Sequence, residues 1–437
     1  MNSLLVRVAA SLALVACAPT AFAESTIKRY MFSTQRAEDV NSELGKMNVK
    51  LDKEWKAPAA GQPMRLTGVG RSGFPTRFLI EQAGGGFHVY AERRRPQHPT
   101  APLPYVTQEV VFDTPDPAVS PVGTLSYPAT GGPFPGVVLL AGTGPHDRDG
   151  GMSLHKTLAV LADHLTRQGF AVLRYDKRGV GLTGGRRHPD STTDDYAADA
   201  LAAARFLKIQ PNIRASRIGI VGHSEGGIIA SMAAAQAPAD VRFIVMLGGT
   251  GLPGIDIKSL QDAAARRAEG MDESLVLLNR SQERELFEIA ASDRTRPDAL
   301  AAMRAATHAL PAATRTALEI PPEGIPDEAF EALLTPWFRR FLSLDPRQYL
   351  ERVTCPVLAL GGEKDLQVPP AENLKKIERA LAGRSPRSVV RQLPGLNHSF
   401  QTARTGKASE YFLIEETVAP SALAFMSTWM KKVVGHE

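Results

Sequence analysis

The chain has 437 residues, 43% of them hydrophobic and 22% charged, with a formal charge of +5. Such a balance belongs to a globular protein with one large domain plus accessories, or with two domains. It argues against a nucleic-acid binder: the one tight basic run, Arg93-Arg94-Arg95, has no aromatic platform or binding motif beside it and reads as a solvated loop.

Residues 1–23 read as an export signal, with one positive charge, an apolar run and then small residues. Ala21-Phe22-Ala23 before Glu24 is an A-x-A cleavage site. Leu14-Val15-Ala16-Cys17 also fits a lipoprotein box, in which Cys17 would carry the lipid; simple cleavage after Ala23 is the preferred route. No later apolar run is long enough to span a bilayer. The mature chain is expected to be bacterial and exported, periplasmic or secreted. With Cys17 removed, Cys355 stands alone at the head of an apolar strand, where a packed thiol is expected rather than a reactive one.

Residues 24–104 form an accessory region in which 76–82 and 87–92 predict two strands joined by a glycine-rich turn at 83–86. The proline-rich stretch 96–104 reads as a linker. From Tyr105 to the end the pattern is that of one α/β domain. Alternating strands are predicted at 106–112 and 121–127, and a doubly buried strand at 136–141. A helix (158–168), a strand (171–175) and a helix (193–208) follow. Next come a strand at 218–221 with its helix, and a strand at 241–247. Strand–helix alternation means a mostly parallel sheet with helices on both faces. The alternation stops between about 251 and 349, where Ala, Glu, Arg and Leu at helical spacing predict an inserted helical cap. Strands at 356–360 and 388–393 and helices at 372–382 and 421–434 complete the domain.

The chemistry centres on Gly222-His223-Ser224-Glu225-Gly226, a Gly-x-Ser-x-Gly turn between an apolar strand and a helix. The pentapeptide alone is a weak signal, and partners must sit on loops at the carboxyl ends of other strands, where an open α/β sheet binds its ligands. Three loops qualify. After 136–141 comes Ala141-Gly142-Thr143-Gly144-Pro145-His146-Asp147-Arg148, whose backbone could offer an N–H to an oxyanion. Thr143 is the candidate, with the Glu225 N–H as second donor. An Asp–Arg pair at 147–148 would brace that loop. After 356–360, Asp365 is the candidate to orient the base, with Glu363 as its rival. After 388–393, His398 is the candidate base, and the order Ser224…Asp365…His398 fits. His223 lies within the turn itself and is poorly placed for that task.

Five stretches, GVVLLAGTGPHDRDG, FAVLRYDKRGVG, GIVGHSEGG, CPVLALGGEKDLQVP and LPGLNHSFQ, resemble the α/β-hydrolase superfamily. Within it the chain is similar to bacterial carboxylesterases of the esterase/serine-aminopeptidase-like (Hydrolase_4, S33-type) group. The chain departs at Ala141, where many relatives carry His. The resemblance implies an α/β-hydrolase fold and ester hydrolysis through an acyl-enzyme, on short to medium acyl chains, with no metal or organic cofactor. A serine peptidase of aminopeptidase or prolyl type is the alternative, needing an acidic anchor such as Glu225, Glu410, Glu415 or Glu416. A binding protein that keeps the fold without catalysis is a third reading. Trp337, Phe338 and Phe341 are either pocket walls or the cap's own core. The expected partner is a small ester, without nucleic acid or a membrane span.

Overall fold

The structure, a computed structural model, describes residues 26–435 apart from 48, 52–63, 70–74, 84–85 and 386. The export signal and the centre of the glycine turn lie outside the described residues. No described helix is long and apolar enough to cross a membrane.

The first unit is an antiparallel sheet of β1 (Thr26–Thr34), β2 (Lys50–Leu51), β3 (Met64–Val69), β4 (Pro75–Ala83) and β5 (Gly86–Arg94), in the order β1-β5-β4-β3-β2. Helix α1 (Ala37–Lys46) covers one face, burying Val40 and Leu44 against Phe78, Ile80 and Val89. The β4–β5 hairpin pairs Gln82 with Phe87 and Ala83 with Gly86, the register that period-two alternation across a short turn dictates.

The basic run at 93–95 corrects the sequence reading: it is not a solvated loop. Arg93 and Arg95 are 2% and 0% exposed at the end of β5. Arg95 donates to the carbonyls of Phe412 (2.9 Å), Ile414 (3.1 Å) and Ser153 (3.3 Å). A planar five-donor cation satisfies carbonyls that irregular backbone would otherwise bury unpaired. Burial pulls the Arg95 pKa down to about 9, with repulsion from Arg93 adding to it. Gln97 continues the strap, its Oε1 accepting from the Val418 N–H (3.0 Å) and its Nε2 donating to Val418 O (2.7 Å).

The large sheet begins with β6 (Tyr105–Val111), β7 (Val122–Pro128) and β8 (Phe134–Leu140). A short hairpin of β9 (Gly151–Met152) and β10 (His155–Lys156) leads into α2 (Thr157–Arg167) and β11 (Ala171–Tyr175). Then come α3 (Thr193–Lys208), β12 (Ile213–His223), α4 (Glu225–Gln236) and β13 (Phe243–Leu247). The eight-stranded order is β15-β14-β13-β12-β8-β11-β7-β6, with β14 (Val357–Gly362) and β15 (Val389–Leu393) added later in the chain. Strands β15 to β11 run parallel, while β7 runs antiparallel to both of its neighbours, β11 and β6. This is the mostly parallel, helix-flanked sheet that the alternation predicts. Helix α3 starts where it must: Thr192 and Asp195 form a reciprocal capping box on its first turn.

Strand β8 lies between β11 on one side and β12 on the other, so the winding direction reverses there. In an open α/β sheet such a reversal is where the loops beyond neighbouring strands leave room for a ligand. Two apolar layers fix the sheet. Ile218, Ile220, Ile228, Ala200, Ala204 and Leu207 pack on one face; Val137, Leu139, Leu161, Phe243, Met426 and Trp429 pack on the other. The second layer is closed by the C-terminal helix Pro420–Val434, which follows the helix Pro370–Leu381 of the β14–β15 crossover. Between β13 and β14, residues 254–350 carry a series of helices joined by short loops, including Gly254–Ala268, Glu273–Ala291, Arg296–His308 and Pro336–Ser343.

Candidate active site

Glycine at 222 is a steric requirement: a Cβ there would sit 1.9 Å from Gly226 O, and one on Gly226 would sit 2.8 Å from Leu140 O. The chain reverses so sharply between β12 and α4 that Ser224 takes φ 55 and ψ −122. Positive φ is costly for a non-glycine residue and persists only where its surroundings hold it. Here the Ser224 N–H donates to Leu247 O at 2.8 Å, tying the turn to the end of β13. The side chain stays partly exposed while Glu225 behind it is buried.

His398 Nδ1 meets Asp365 Oδ2 at 2.8 Å, with both side chains almost fully buried. The other oxygen, Asp365 Oδ1, accepts the Gln367 and Val368 N–H groups at 2.8 and 2.7 Å. The carboxylate is thus spent on three donors, and its orientation is fixed. Glu363, the rival carboxylate, faces elsewhere: its Oε2 accepts the Gly395 N–H at 2.7 Å and steadies the loop that carries His398. The base loop is further pinned by buried Asn397, whose Oδ1 accepts from Ser399 N (3.0 Å) and Gln401 N (2.9 Å).

Ser224 and the His398–Asp365 pair lie at the same strand end. Ser224 is bonded to Leu247, and a Cβ on the next residue, Gly248, would stand 3.1 Å from His398 Nδ1 and 3.4 Å from Asp365 Oδ2. His223 adds a direct link that the sequence reading missed. Its Nε2 donates to His398 O at 2.9 Å, and the two rings lie 4.8 Å apart. It therefore fastens the base loop to the serine turn.

The loop after β8 abuts the serine: a Cβ on Gly142 would come within 3.0 Å of Ser224 Cβ. Arg148 does not pair with Asp147. It grips Asp176 after β11 (Arg148 Nη2 to Asp176 Oδ2, 2.7 Å), while Asp147 Oδ1 accepts from Asp149 N and Gly150 N, both at 3.1 Å. Bracing is still the role of both residues, with different partners. His146 is equally structural, donating from Nε2 to Thr143 O at 2.7 Å. Glu225 points its carboxylate away from the serine, accepting from Thr193 Oγ1 (2.7 Å) and Trp337 Nε1 (2.7 Å). Trp337 stacks on Phe341 (5.2 Å) and meets His188 edge-on (4.7 Å). Phe338 packs against Phe287 within the helical block itself. Of the three aromatics, Trp337 is the one that reaches the serine turn. A tryptophan donor can be recognised in the sequence, but its acceptor more than a hundred residues away cannot.

Burial holds three imidazoles neutral. His223 is pulled down to about 3, with His398 adding to the shift; His146 falls to about 4, and His155 to about 3. Their folded pKa values lie below the unfolded value of about 6.5, so the unfolded chain binds more protons as the pH drops. Their contribution is complete above 6.5 and declines as pH falls toward 4, by at most about 1.4 kcal/mol per pH unit for each ring. Calorimetry should show Tm decreasing between about pH 7 and pH 5.5, before most carboxylates titrate. A flat Tm over that interval would show that these rings are not held neutral.

Residues 149–314 match the family model described as Hydrolase_4, serine aminopeptidase, S33. The chain is 25% identical over 319 residues to Esterase EstD of Thermotoga maritima, covering 71% of this chain and 65% of that relative, a little under two thirds of its length. Among solved structures it is similar to the alpha/beta hydrolase GrgF from Penicillium sp. sh18 (17% identity, 76% of this chain and 99% of that one, TM-score 0.48). It is also similar to an esterase of Pyrococcus furiosus (14% identity, 75% and 91%, TM-score 0.45). With its mostly parallel eight-stranded sheet, its glycine-flanked serine turn between β12 and α4, and its match to the S33 model over residues 149–314, the chain is similar to the α/β hydrolases of the esterase and serine-aminopeptidase-like group.

Proposed function

We propose that the protein is an exported serine carboxylesterase acting on small esters of short to medium acyl length. In this reading His398 takes the proton from Ser224 as the hydroxyl attacks the ester carbonyl, and Asp365 holds the ring and balances its charge. The Thr143 and Glu225 N–H groups receive the oxyanion. His398 then protonates the departing alcohol, and water repeats the sequence to free the acid. The observation that carries this is the 2.8 Å contact of His398 with Asp365, set against the same strand end as the strained Ser224.

The esterase name of the Thermotoga relative supports the bond type, and the S33 description keeps the peptidase reading in view. An aminopeptidase needs a carboxylate free to hold the substrate amine, and each of the four candidates already spends at least one oxygen on donors of this chain. Glu225 serves Thr193 and Trp337, and Glu410 accepts from Thr405 Oγ1 at 2.6 Å. Glu415 takes the Arg94 N–H at 3.2 Å, and Glu416 the Thr402 N–H at 2.7 Å. The ester reading is therefore favoured. As part of the same proposal, residues 251–349 form a cap that limits acyl size through Trp337, residues 24–104 form an accessory unit, and residues 1–23 direct export.

Turnover of nitrophenyl butyrate should exceed that of an aminoacyl nitroanilide by on the order of a hundredfold in kcat/KM. Faster cleavage of the anilide would transfer the assignment to a peptidase.

A further inference from the structure

We propose that Lys177 is a positioning residue that aims and polarises the oxyanion-binding amide of Thr143. The inference rests on the reading of Ser224 as nucleophile and Thr143 N–H as oxyanion donor, and it assigns a residue outside that set.

Lys177 is the second residue beyond β11 and is 6% exposed. Its ammonium donates to Gly142 O at 2.6 Å and to Gly144 O at 3.3 Å. The carbonyl of Gly142 and the N–H of Thr143 belong to one peptide unit. In a planar trans peptide those two groups point in opposite directions. A cation that captures the carbonyl from inside the protein therefore turns the Thr143 N–H outward, on the side where Gly142 abuts Ser224. His146 does the same for the following unit, holding Thr143 O at 2.7 Å. Among the described residues the Thr143 N–H is spent on no other backbone carbonyl.

The second effect is electronic. A hydrogen bond to a carbonyl polarises its amide and strengthens the N–H as a donor, and a charged donor in a dry interior does so most. The same ammonium lies 3.8 Å from Glu225 Oε2 and 4.1 Å above the Tyr196 ring. Glu225 supplies the other proposed oxyanion amide, and its side chain is anchored by Thr193 and Trp337. One buried cation therefore braces the residues behind both donors. Burial draws the Lys177 pKa down while Glu225 pulls it back up.

A bland alternative is that Lys177 only neutralises Glu225. The two roles separate in kinetics. Lys177→Met keeps the apolar stem and removes the ammonium, so the loop loses its brace and the peptide at 142–143 can rotate. If Lys177 positions the donor, kcat on nitrophenyl butyrate should fall about 10- to 100-fold, somewhat less than the loss of a whole oxyanion donor. KM should stay within about threefold, because ground-state binding is untouched. Affinity for an alkyl trifluoromethyl ketone, whose serine adduct carries an oxyanion, should fall in parallel with kcat. Lys177→Arg restores a cationic donor and should recover part of kcat.

Should Lys177→Met fail to fold because the buried Glu225 charge loses its neighbouring cation, the double variant Lys177→Met/Glu225→Gln removes both charges and retains the Glu225-position N–H. The same split between kcat and KM is expected there. Unchanged kcat and unchanged ketone affinity in either folded variant, with only Tm lowered, would reduce Lys177 to a charge partner and overturn the proposal alone. A wild-type protein inert to both the ester and a fluorophosphonate would overturn the nucleophile reading, and this proposal with it.

Discussion

Ser224→Ala should reduce hydrolysis of nitrophenyl butyrate by about 10⁴-fold or more, leaving only what binding and the oxyanion amides supply. At 1.36 kcal/mol per decade that is a loss of about 5 kcal/mol of transition-state stabilisation. The substitution tests chemistry and little else. The turn is enforced by the glycines at 222 and 226 and by the Ser224 N–H to Leu247 O bond, and Ala keeps that N–H. The residue is already at φ 55, and alanine bears the same backbone strain as serine. Tm should therefore change little while turnover and fluorophosphonate labelling vanish together. Turnover within about tenfold of wild type would remove Ser224 from the reaction, because no uniform-binding residue and no positioning residue is expected to account for the full effect.

The parts of this architecture that were legible from sequence are those governed by local rules. Strand 171–175 and helix 193–208 fall at the expected bounds because continuous burial, a capping box and a flanking glycine are all written within a few residues. Serine, aspartate and histidine could be singled out because each follows a strand and the fold sends strand ends to one rim. What escaped prediction depends on distance along the chain. Arg95 looked solvated since its carbonyl partners lie more than three hundred residues away, at Phe412 and Ile414. Helix α1 and strands β1 to β3 carry charged residues between apolar ones, and β2 is two residues long, so neither periodicity nor length distinguishes them. His223 donates to His398 O, and that fastening role cannot be read from the turn alone. Glu225 could be counted as a loose acid for the same reason: Thr193 and Trp337 are remote in sequence and adjacent in space.

Those long-range bonds share a pattern. Around the strand ends, Asp176 on the Arg148 N–H, Lys177 on Gly142, His146 on Thr143, Glu363 on Gly395 and Asn397 on Gln401 all secure loop backbone with a side chain. Loops lack the ladder bonds that hold strands and helices, so a site assembled from loops needs side chains to set its amide planes. The reacting groups are few, and most polar residues nearby hold the backbone still.

Asp365→Asn should be nearly as damaging as removing the nucleophile, by on the order of 10⁴-fold in kcat, although it changes one heavy atom. The reason lies in the two backbone donors at Asp365 Oδ1. Gln367 N–H (2.8 Å) and Val368 N–H (2.7 Å) require an acceptor there, so the new amide must keep its oxygen on that side. Its NH₂ group then occupies the Oδ2 position and donates toward His398 Nδ1, 2.8 Å away in the parent. An Nδ1 that accepts leaves the proton on Nε2, and a protonated Nε2 cannot take one from Ser224. Rotating the amide to relieve the tautomer would set NH₂ against two N–H groups, leaving buried donors unpaired at a cost of about 1–3 kcal/mol each. The wrong tautomer is thereby locked in, and Tm should fall by only a few degrees for so conservative an exchange. Glu363→Gln provides the matched control: its Oε2 bond to the Gly395 N–H can be kept by an amide oxygen, so kcat should stay within about threefold. Equal losses from both exchanges would mean that the carboxylates act through loop stability and that Asp365 has no special bearing on the imidazole. A collapse confined to Asp365→Asn, with the fold intact, would tie the reaction to the proton position on His398.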